Sequence, residues 1–238
     1  MKQVLVAMSG GVDSSVAAYL LQEQGYECIG VTMRLYENET VGINPRHTCC
    51  SLDDVDDARS VAYQLGIDYH VFDFSDEFEE KVIQKFVDFY ERGLTPNPCI
   101  DCNRYLKFDH LLKRAEELGC DYIATGHYAQ VYQDEEGRYR LKKGVDNHKD
   151  QTYALYNFDQ EILSKVLLPV GALTKDEVRE IAEKAGFINA KKHDSQDICF
   201  VPDGNYVDFL ERYTKNTYPS GNLVNKEGEV LGEHKGAI

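Results

Sequence analysis

Two groups of residues in this 238-residue chain have the types and spacing to do chemistry. The first is Met8-Ser9-Gly10-Gly11-Val12-Asp13-Ser14-Ser15, which follows the apolar run Val4-Leu5-Val6-Ala7 and opens a helical pattern. Gly10 and Gly11 permit a tight turn and close backbone approach. Ser9, Ser14 and Ser15 add hydroxyls, and the helix that follows turns the positive end of its dipole toward an anion. The string lacks the Gly-Lys-Ser/Thr ending of a Walker loop. Asp13 is the candidate to hold Mg²⁺ beside the phosphates, with helix capping as its competing role. The second group is sulfur: Cys99 and Cys102 form a Cys-x-x-Cys, and Cys199 lies far downstream. In a reducing compartment such spacing points to redox or metal chemistry over structural disulfides, and the seven cysteines are odd in number. Cys28 and Cys120 lie in or beside apolar runs and read as core. The adjacent pair Cys49 and Cys50 lacks the spacing of zinc ligands.

These groups need a scaffold, and apolar runs alternate with helical periods to supply one. Val4 to Met8, Cys28 to Met33, Tyr69 to Phe74, Tyr122 to Thr125 and Val166 to Val170 read as strands. Between them run helix stripes stopped by Gly25, Gly66, Gly93 and Gly119, and after the last strand Thr174-Lys175-Asp176-Glu177 opens, as a capping box, a helix stopped by Gly186. Strand and helix in alternation predict an α/β fold with a doubly wound parallel sheet. Ligands then lie beyond the carboxyl ends of the strands, where Ser9, Met33 and Gly126 all fall. The segment from Leu94 to Asn103 carries two prolines and is expected to be a rigid, non-helical loop. Residues 129–144 predict a hairpin inserted after the fourth strand. Residues 1–201 are expected to form the catalytic domain, and 202–238, with a short helix from Tyr206 to Tyr213 and a turn at Asn225 to Gly228, the start of a second one.

Composition bounds what this scaffold meets. With 42% hydrophobic and 28% charged residues and no apolar run near the ~20 needed to span a bilayer, a soluble globular protein without a membrane partner is expected. The chain enters a strand at once, leaving no room for a signal peptide, so the cytoplasm is the expected compartment. A net charge of -15 argues against nucleic-acid binding by bulk electrostatics. The charge is uneven, however. Twelve acidic and three basic residues lie between Asp53 and Glu91, whereas Arg138, Arg140, Lys142, Lys143 and Lys149 cluster around a single Asp146. A local basic surface for phosphates is compatible with that pattern, as is a solvated hairpin. The run Asp53, Asp54, Asp56, Asp57 reads as a helix N-terminus meeting its dipole.

SGGVDS without the Walker lysine resembles the PP-loop of ATP pyrophosphatases. With the strings TPNPCIDCN, GHYA (126–129), KDQTY (149–153) and DSQDICF (194–200), in that order, nearly the whole chain resembles the tRNA-specific 2-thiouridylases. That resemblance implies replacement of the 2-oxygen of the wobble uridine 34 of tRNA by sulfur, using ATP and a sulfur-donor protein. By the same resemblance the ATP site falls on Ala7, Met8, Ser9, Gly10, Gly11, Val12, Asp13 and Ser14, with Met33 and Gly126 contacting adenine or ribose. The nucleophilic cysteine matches Cys102, and the persulfide-carrying cysteine matches Cys199. Asn97, Pro98 and Cys99 match the contacts to the target base, while His127, Lys149, Asp150 and Gln151 match tRNA contacts. Family members continue into a β-barrel that holds the tRNA.

A uridine 2-carbonyl has no leaving group, so its oxygen must first attack the α-phosphorus of ATP, and a thiolate or persulfide must then attack C2 as AMP departs. On a persulfide route the resemblance implies a transient Cys102 to Cys199 disulfide that a reductant reopens. Cys99 replaces an aspartate common in the family. Cys99, Cys102 and Cys199 together suit three irons of a [4Fe-4S] cluster whose fourth iron carries hydrosulfide, a rival route to the same product. Two other functions stand beside thiolation: an ATP-dependent ligase acting on a small molecule, and an ATP- or cluster-binding module that needs further sequence for turnover.

Overall fold

Consecutive apolar residues, unlike alternating ones, mark a strand covered on both faces, and Val4, Leu5 and Val6 are fully buried. A computed structural model describes residues 1–36, 52–194, 198–201 and 204–236. Cys49, Cys50 and residues 195–197 of the DSQDICF string lie outside these. In chain order the elements are β1 (Gln3–Ala7), α1 (Val12–Glu23), β2 (Glu27–Arg34), α2 (Leu52–Leu65), β3 (Asp68–Asp73), α3 (residues 75–91), α4 (residues 98–117) and β4 (Tyr122–Ala124). There follow β5 (Ala129–Gln133), β6 (Tyr139–Lys143), α5 (Gln160–Lys165), β7 (Val166–Leu167), α6 (Lys175–Ala185), α7 (Tyr206–Thr214), β8 (Gly221–Val224) and β9 (Val230–His234).

Five strands form one parallel sheet in the order β3-β2-β1-β4-β7, which is the α/β architecture expected. Side chains alternate across β1: Leu5 packs with Phe78, Phe86, Phe108 and Phe200 on one face, Val4 and Val6 with Val16, Val61 and Val178 on the other. Successive connections leave β1 in opposite directions, toward β2 and toward β4, and a crevice opens between the carboxyl ends of those two strands. The five glycine stops, Gly25, Gly66, Gly93, Gly119 and Gly186, all hold φ between 68° and 85°, the left-handed geometry that ends a helix. The capping box at Thr174 and Glu177 is made in full. β5 and β6 pair as the inserted hairpin. Among the described residues no helix is long and apolar enough to cross a membrane.

Two expectations need correction. The 166–170 strand is only Val166–Leu167, because Pro169 starts a tight 3₁₀ turn. The two-proline segment is not a loop throughout: α4 begins at Pro98. Proline at the first helical position forfeits no intrahelical hydrogen bond and has its φ preset, while the restriction it imposes falls on Asn97, which is extended (φ -119°, ψ 93°). Cys99, Cys102 and Asn103 therefore ride on a helix. Phe209 and Leu210 of α7 are buried in the same core as Phe86 and Phe200, whereas Leu223, Val224, Val230 and Leu231 of the last hairpin are exposed.

Candidate functional site

The turn after β1 is held in place by side chains that bond its carbonyls. Thr32 Oγ1 donates to the Met8 carbonyl at 2.6 Å, and Asn189 Nδ2 donates to the Gly10 carbonyl and to Ser15 Oγ at 2.9 Å each. Ser14 Oγ accepts from the Ser9 amide and donates to the Gly11 carbonyl, both at 3.1 Å. Gly11 is the N-cap of α1, so the first-turn amides that follow have no intrahelical partner, a geometry that suits an anion. Gly10 sits at φ +74°, and a Cβ there would lie 2.3 Å from the Asp54 carbonyl oxygen. A Cβ on Gly126 would lie 2.7 Å from the Ser14 nitrogen, so the exit of β4 abuts the start of α1.

Above this turn is a cavity of about 400 Å³, within the range of small-molecule sites. Ala7, Met8, Ser9, Gly11, Val12, Asp13 and Ser14 line one end, with Met33 and Gly126 beside them. Pro98, Cys99, Cys102 and Cys199 also line it, as do His127, Lys149 and Gln151. Thus Cys102 and Cys199, 97 positions apart in sequence, meet in one space with the phosphate turn. Gly10, Asn97 and Asp150 do not line it. Gly10 is buried under the turn, Asn97 is exposed, and Asp150 accepts from the Gly144 amide at 3.0 Å and from Thr152 Oγ1 at 2.7 Å. Gln151 is tied to the Tyr128 backbone at both its side chain and its amide, each at 3.0 Å.

Charge around the turn is paired. Asp13 does not cap the helix; its Oδ1 accepts from Tyr128 Oη and from Lys175 Nζ, both at 2.7 Å. Lys175 also reaches Asp194 at 2.7 Å, and Asp194 accepts from Lys149 at 2.6 Å. Burial alone would raise the Asp194 carboxyl, but the bonds from Lys149 and Lys175 hold it at about 2. Burial and the Asp13 carboxylate push the Tyr128 hydroxyl upward, so it stays a donor. Lys192 bonds Asp54 at 2.6 Å and Asp57 at 2.5 Å, so part of the acidic run fastens the start of α2 to the segment after α6.

The sulfur end is drier. Cys102 is buried, and burial raises its thiol pKa against the opposing field of Lys107. Cys199 is half-buried, with its carbonyl accepting from Tyr36 Oη at 2.6 Å, and Cys99 is exposed. His127 is buried with Nδ1 2.7 Å from Thr125 Oγ1; burial, reinforced by Lys107, holds it well below the usual histidine range and hence neutral. Cys28, Cys99, Cys102, Cys120 and Cys199 are free thiols. Among the described residues, no three His, Cys, Asp or Glu side chains are gathered so as to hold a metal ion, while Cys99, Cys102 and Cys199 all line the cavity.

Sequence reasoning missed Thr32, Lys107, Asn189, Lys192 and the role of Lys175. Lys175 was legible only as part of a capping box, and Asn189 carries no local signal. Tyr128 and Asp194 lay inside quoted strings without being singled out.

A family model described as the tRNA methyl transferase HUP domain matches residues 2–203. The chain is 55% identical to the tRNA-specific 2-thiouridylase MnmA of Lachnoclostridium phytofermentans over 239 aligned residues, covering 100% of this chain and 67% of that protein. It is 52% identical to the MnmA of Clostridioides difficile, covering 100% of this chain and 66% of that one. It thus spans about two thirds of the length of these curated relatives. Among solved structures, a 4-thiouridine synthetase in complex with RNA and bound ATP superposes with a TM-score of 0.56 at 19% identity, over 90% of this chain and 50% of that one. The U34-tRNA thiolase NcsA from Methanococcus maripaludis, with its [4Fe-4S] cluster, gives 0.50 at 20% identity, over 89% and 67%. At these identities the two structures establish the fold alone.

Proposed function

The chain belongs to the tRNA-specific 2-thiouridylase family, and we propose on that footing that it is the ATP-using, sulfur-handling part of a cytoplasmic enzyme that thiolates uridine 34 of tRNA. The observation that carries the proposal is the shared cavity: the phosphate turn, Cys102 and Cys199 line one space. The 2-carbonyl oxygen of the base attacks the α-phosphorus of ATP and pyrophosphate leaves. First-turn amides of α1 are preorganised for the charge that gathers on the phosphate oxygens. Asp13 suits a magnesium ion, since both of its bonds fall on Oδ1 and Oδ2 makes none among the described residues. Mg²⁺ held there would supply further positive charge to the phosphates.

The terminal sulfur of a Cys199 persulfide, loaded by a sulfur-donor protein, then bonds to C2 as the C2–O bond breaks and AMP leaves. The Cys102 thiolate attacks the Cys199 sulfur, the S–S bond to the base sulfur breaks, and 2-thiouridine departs. The resulting Cys102–Cys199 disulfide takes two electrons from an external thiol to reset. Because Cys102 is a buried thiol whose proton is held, loss of that proton must accompany attack. No step is routed through an iron-sulfur cluster. Asn97, Pro98 and Cys99 are placed in this proposal at the target base, His127, Lys149, Asp150 and Gln151 along the tRNA, and the exposed Arg138, Lys142 and Lys143 of the β5–β6 hairpin near its phosphates. Residues 1–201 form the proposed catalytic domain and 202–238 the beginning of a second.

Cys199→Ser tests the sulfur step. The variant is expected to bind ATP and release pyrophosphate in the presence of tRNA while forming no 2-thiouridine, read by mass spectrometry of digested tRNA. Thiolation by the variant would refute the role. Pyrophosphate release that needs an amino acid or ammonia and no tRNA would identify a small-molecule ligase.

A further inference from the structure

Among the described residues, the ions of the cavity pair off with one left over. Its three carboxylates, Asp13, Asp54 and Asp194, lie 2.7, 2.6 and 2.6 Å from the ammonium groups of Lys175, Lys192 and Lys149. Three lysines line the cavity, and two of them, Lys149 and Lys192, are those partners. The third, Lys107, is half-buried and makes no ion pair or hydrogen bond among the described residues. A partly desolvated ammonium without a counter-charge is unfavourable, so a lysine kept in such a place is matched to an anion that arrives with a ligand.

Its position narrows which anion. Within α4 the segment Cys102–His110 is wound with π-type, i to i+5 spacing. That spacing puts Cys102, which opens the segment, and Lys107 on the same side of the helix, and both line the cavity. The field of Lys107 is felt by both Cys102 and His127. His127 follows Gly126, which is packed against the amide of Ser14 and the carbonyl carbon of Asp13. Lys107 therefore shares one cavity with Cys102, with His127 and with the turn after β1. Neither neighbour neutralises it, since Cys102 is a protonated thiol and His127 a neutral imidazole.

We propose that Lys107 is a catalytic residue that binds the phosphoryl group joining AMP to the target base. This deepens the thiolation reading and rests on it. When the base oxygen attacks, an O–P bond forms and the α–β bridge to pyrophosphate breaks, with charge on the non-bridging oxygens of the α-phosphorus. When sulfur bonds to C2, the C2–O bond breaks and its electron pair leaves on AMP, which gains a second negative charge. One ammonium at that phosphorus serves both steps, and among the described residues no carboxylate is paired with it.

The test compares Lys107→Met and Lys107→Arg with the parent chain in single-turnover, tRNA-dependent pyrophosphate release, with ATP affinity measured alongside. Loss of one preorganised charge at a transition state typically costs about 10²–10³-fold in rate. Lys107→Met is therefore expected to release pyrophosphate about 100-fold more slowly, with ATP affinity changed less than about threefold. Lys107→Arg should restore most of the rate. Release by Lys107→Met at the parental rate, with or without loss of thiolation, overturns the assignment. If the parent chain itself releases none with tRNA, the thiolation reading falls and this proposal with it. A second measurement needs no variant: acylation of lysines in the parent chain, read by peptide mass spectrometry. AMP without RNA should slow modification of Lys107 and leave exposed Lys113 unchanged. Protection by tRNA alone would reassign Lys107 to the RNA backbone and sink the proposal, as would no protection by either.

Discussion

Replacing Lys175 by methionine removes the ammonium that joins the phosphate turn to the sulfur-bearing segment while keeping most of its stem. The Lys175 side chain is 9% exposed and lies 2.7 Å from both Asp13 and Asp194. Removing one partner of a buried pair costs about 3–5 kcal/mol when it strands the other charge. Asp194 is not stranded here, and Asp13 loses its cation while remaining 29% exposed to solvent. Asp194 keeps Lys149 at 2.6 Å and Arg179 at 3.4 Å, and Asp13 keeps the Tyr128 hydroxyl at 2.7 Å. The expected loss at pH 7 is accordingly about 2 kcal/mol, between the stranded-charge cost and the ~0–1 kcal/mol of a surface pair. For a chain of this size that is about 4–8 °C in Tm. Denaturant melts from pH 7 to pH 2 carry a second signature. The Asp194 carboxyl, at about 2, lies below its unfolded value near 3.9, so its ionic contribution is complete above about pH 4 and is lost as pH falls through about 2. Parent and variant should differ most at neutral pH and converge as the pH drops through that window. A variant as stable as the parent at pH 7, or a gap that stays constant into acid, would refute the reasoning.

Two further substitutions separate the phosphate seat from the sulfur end. Gly126→Ala sets a Cβ 2.7 Å from the Ser14 nitrogen and 2.8 Å from the Asp13 carbonyl carbon, both backbone atoms that cannot swing away. Overpacking of about 1–3 kcal/mol concentrated on the seat should weaken ATP binding by roughly tenfold or more in a fluorescence titration, and unchanged affinity would show that the seat lies elsewhere. Tyr36→Phe removes the hydroxyl that donates to the Cys199 carbonyl at 2.6 Å. At about 1 kcal/mol per hydrogen bond, sulfur transfer should slow by roughly fivefold with pyrophosphate release unchanged, and equal slowing of both steps would count against a role confined to Cys199.

The sheet was legible because its inner strands β1 and β2 are near-continuous apolar runs punctuated by glycine stops, a pattern set by burial on both faces and by left-handed helix ends, while the edge strand β3 is not buried. The turn after β1 was legible as a strand-to-helix turn because glycine and serine at those positions serve backbone geometry directly. Pro98 was misread because the same residue that forbids a helix interior favours a helix start, and only the fold shows which side of it the helix lies on. Asn189, Thr32 and Lys175 escaped for another reason. Each acts on residues far away in sequence, as when Asn189 holds Gly10 and Ser15 or Lys175 holds Asp13, and pairings at such separation leave no local period or spacing.

The overall acidity also looks different once the ions are placed. A net charge of -15 repels ATP and RNA at long range, where salt screens it within roughly 8–10 Å. At the cavity the sum is local: Asp13, Asp54 and Asp194 are each bonded to a lysine, so among the described residues first-turn amides and Lys107 are left, in the proposed reading, to face an entering phosphate. Pairing of this kind neutralises the acids without removing them, and among the described residues it leaves one Asp13 oxygen, in the first turn of α1, without a hydrogen bond. Bulk charge and site charge are thus independent in this fold. Raising the ionic strength should therefore leave ATP affinity nearly unchanged while lowering tRNA affinity, because phosphates along the exposed hairpin meet screened surface lysines and the cavity does not. ATP affinity that falls as steeply with salt as tRNA affinity would mean that the nucleotide is held by surface charge and not in the cavity.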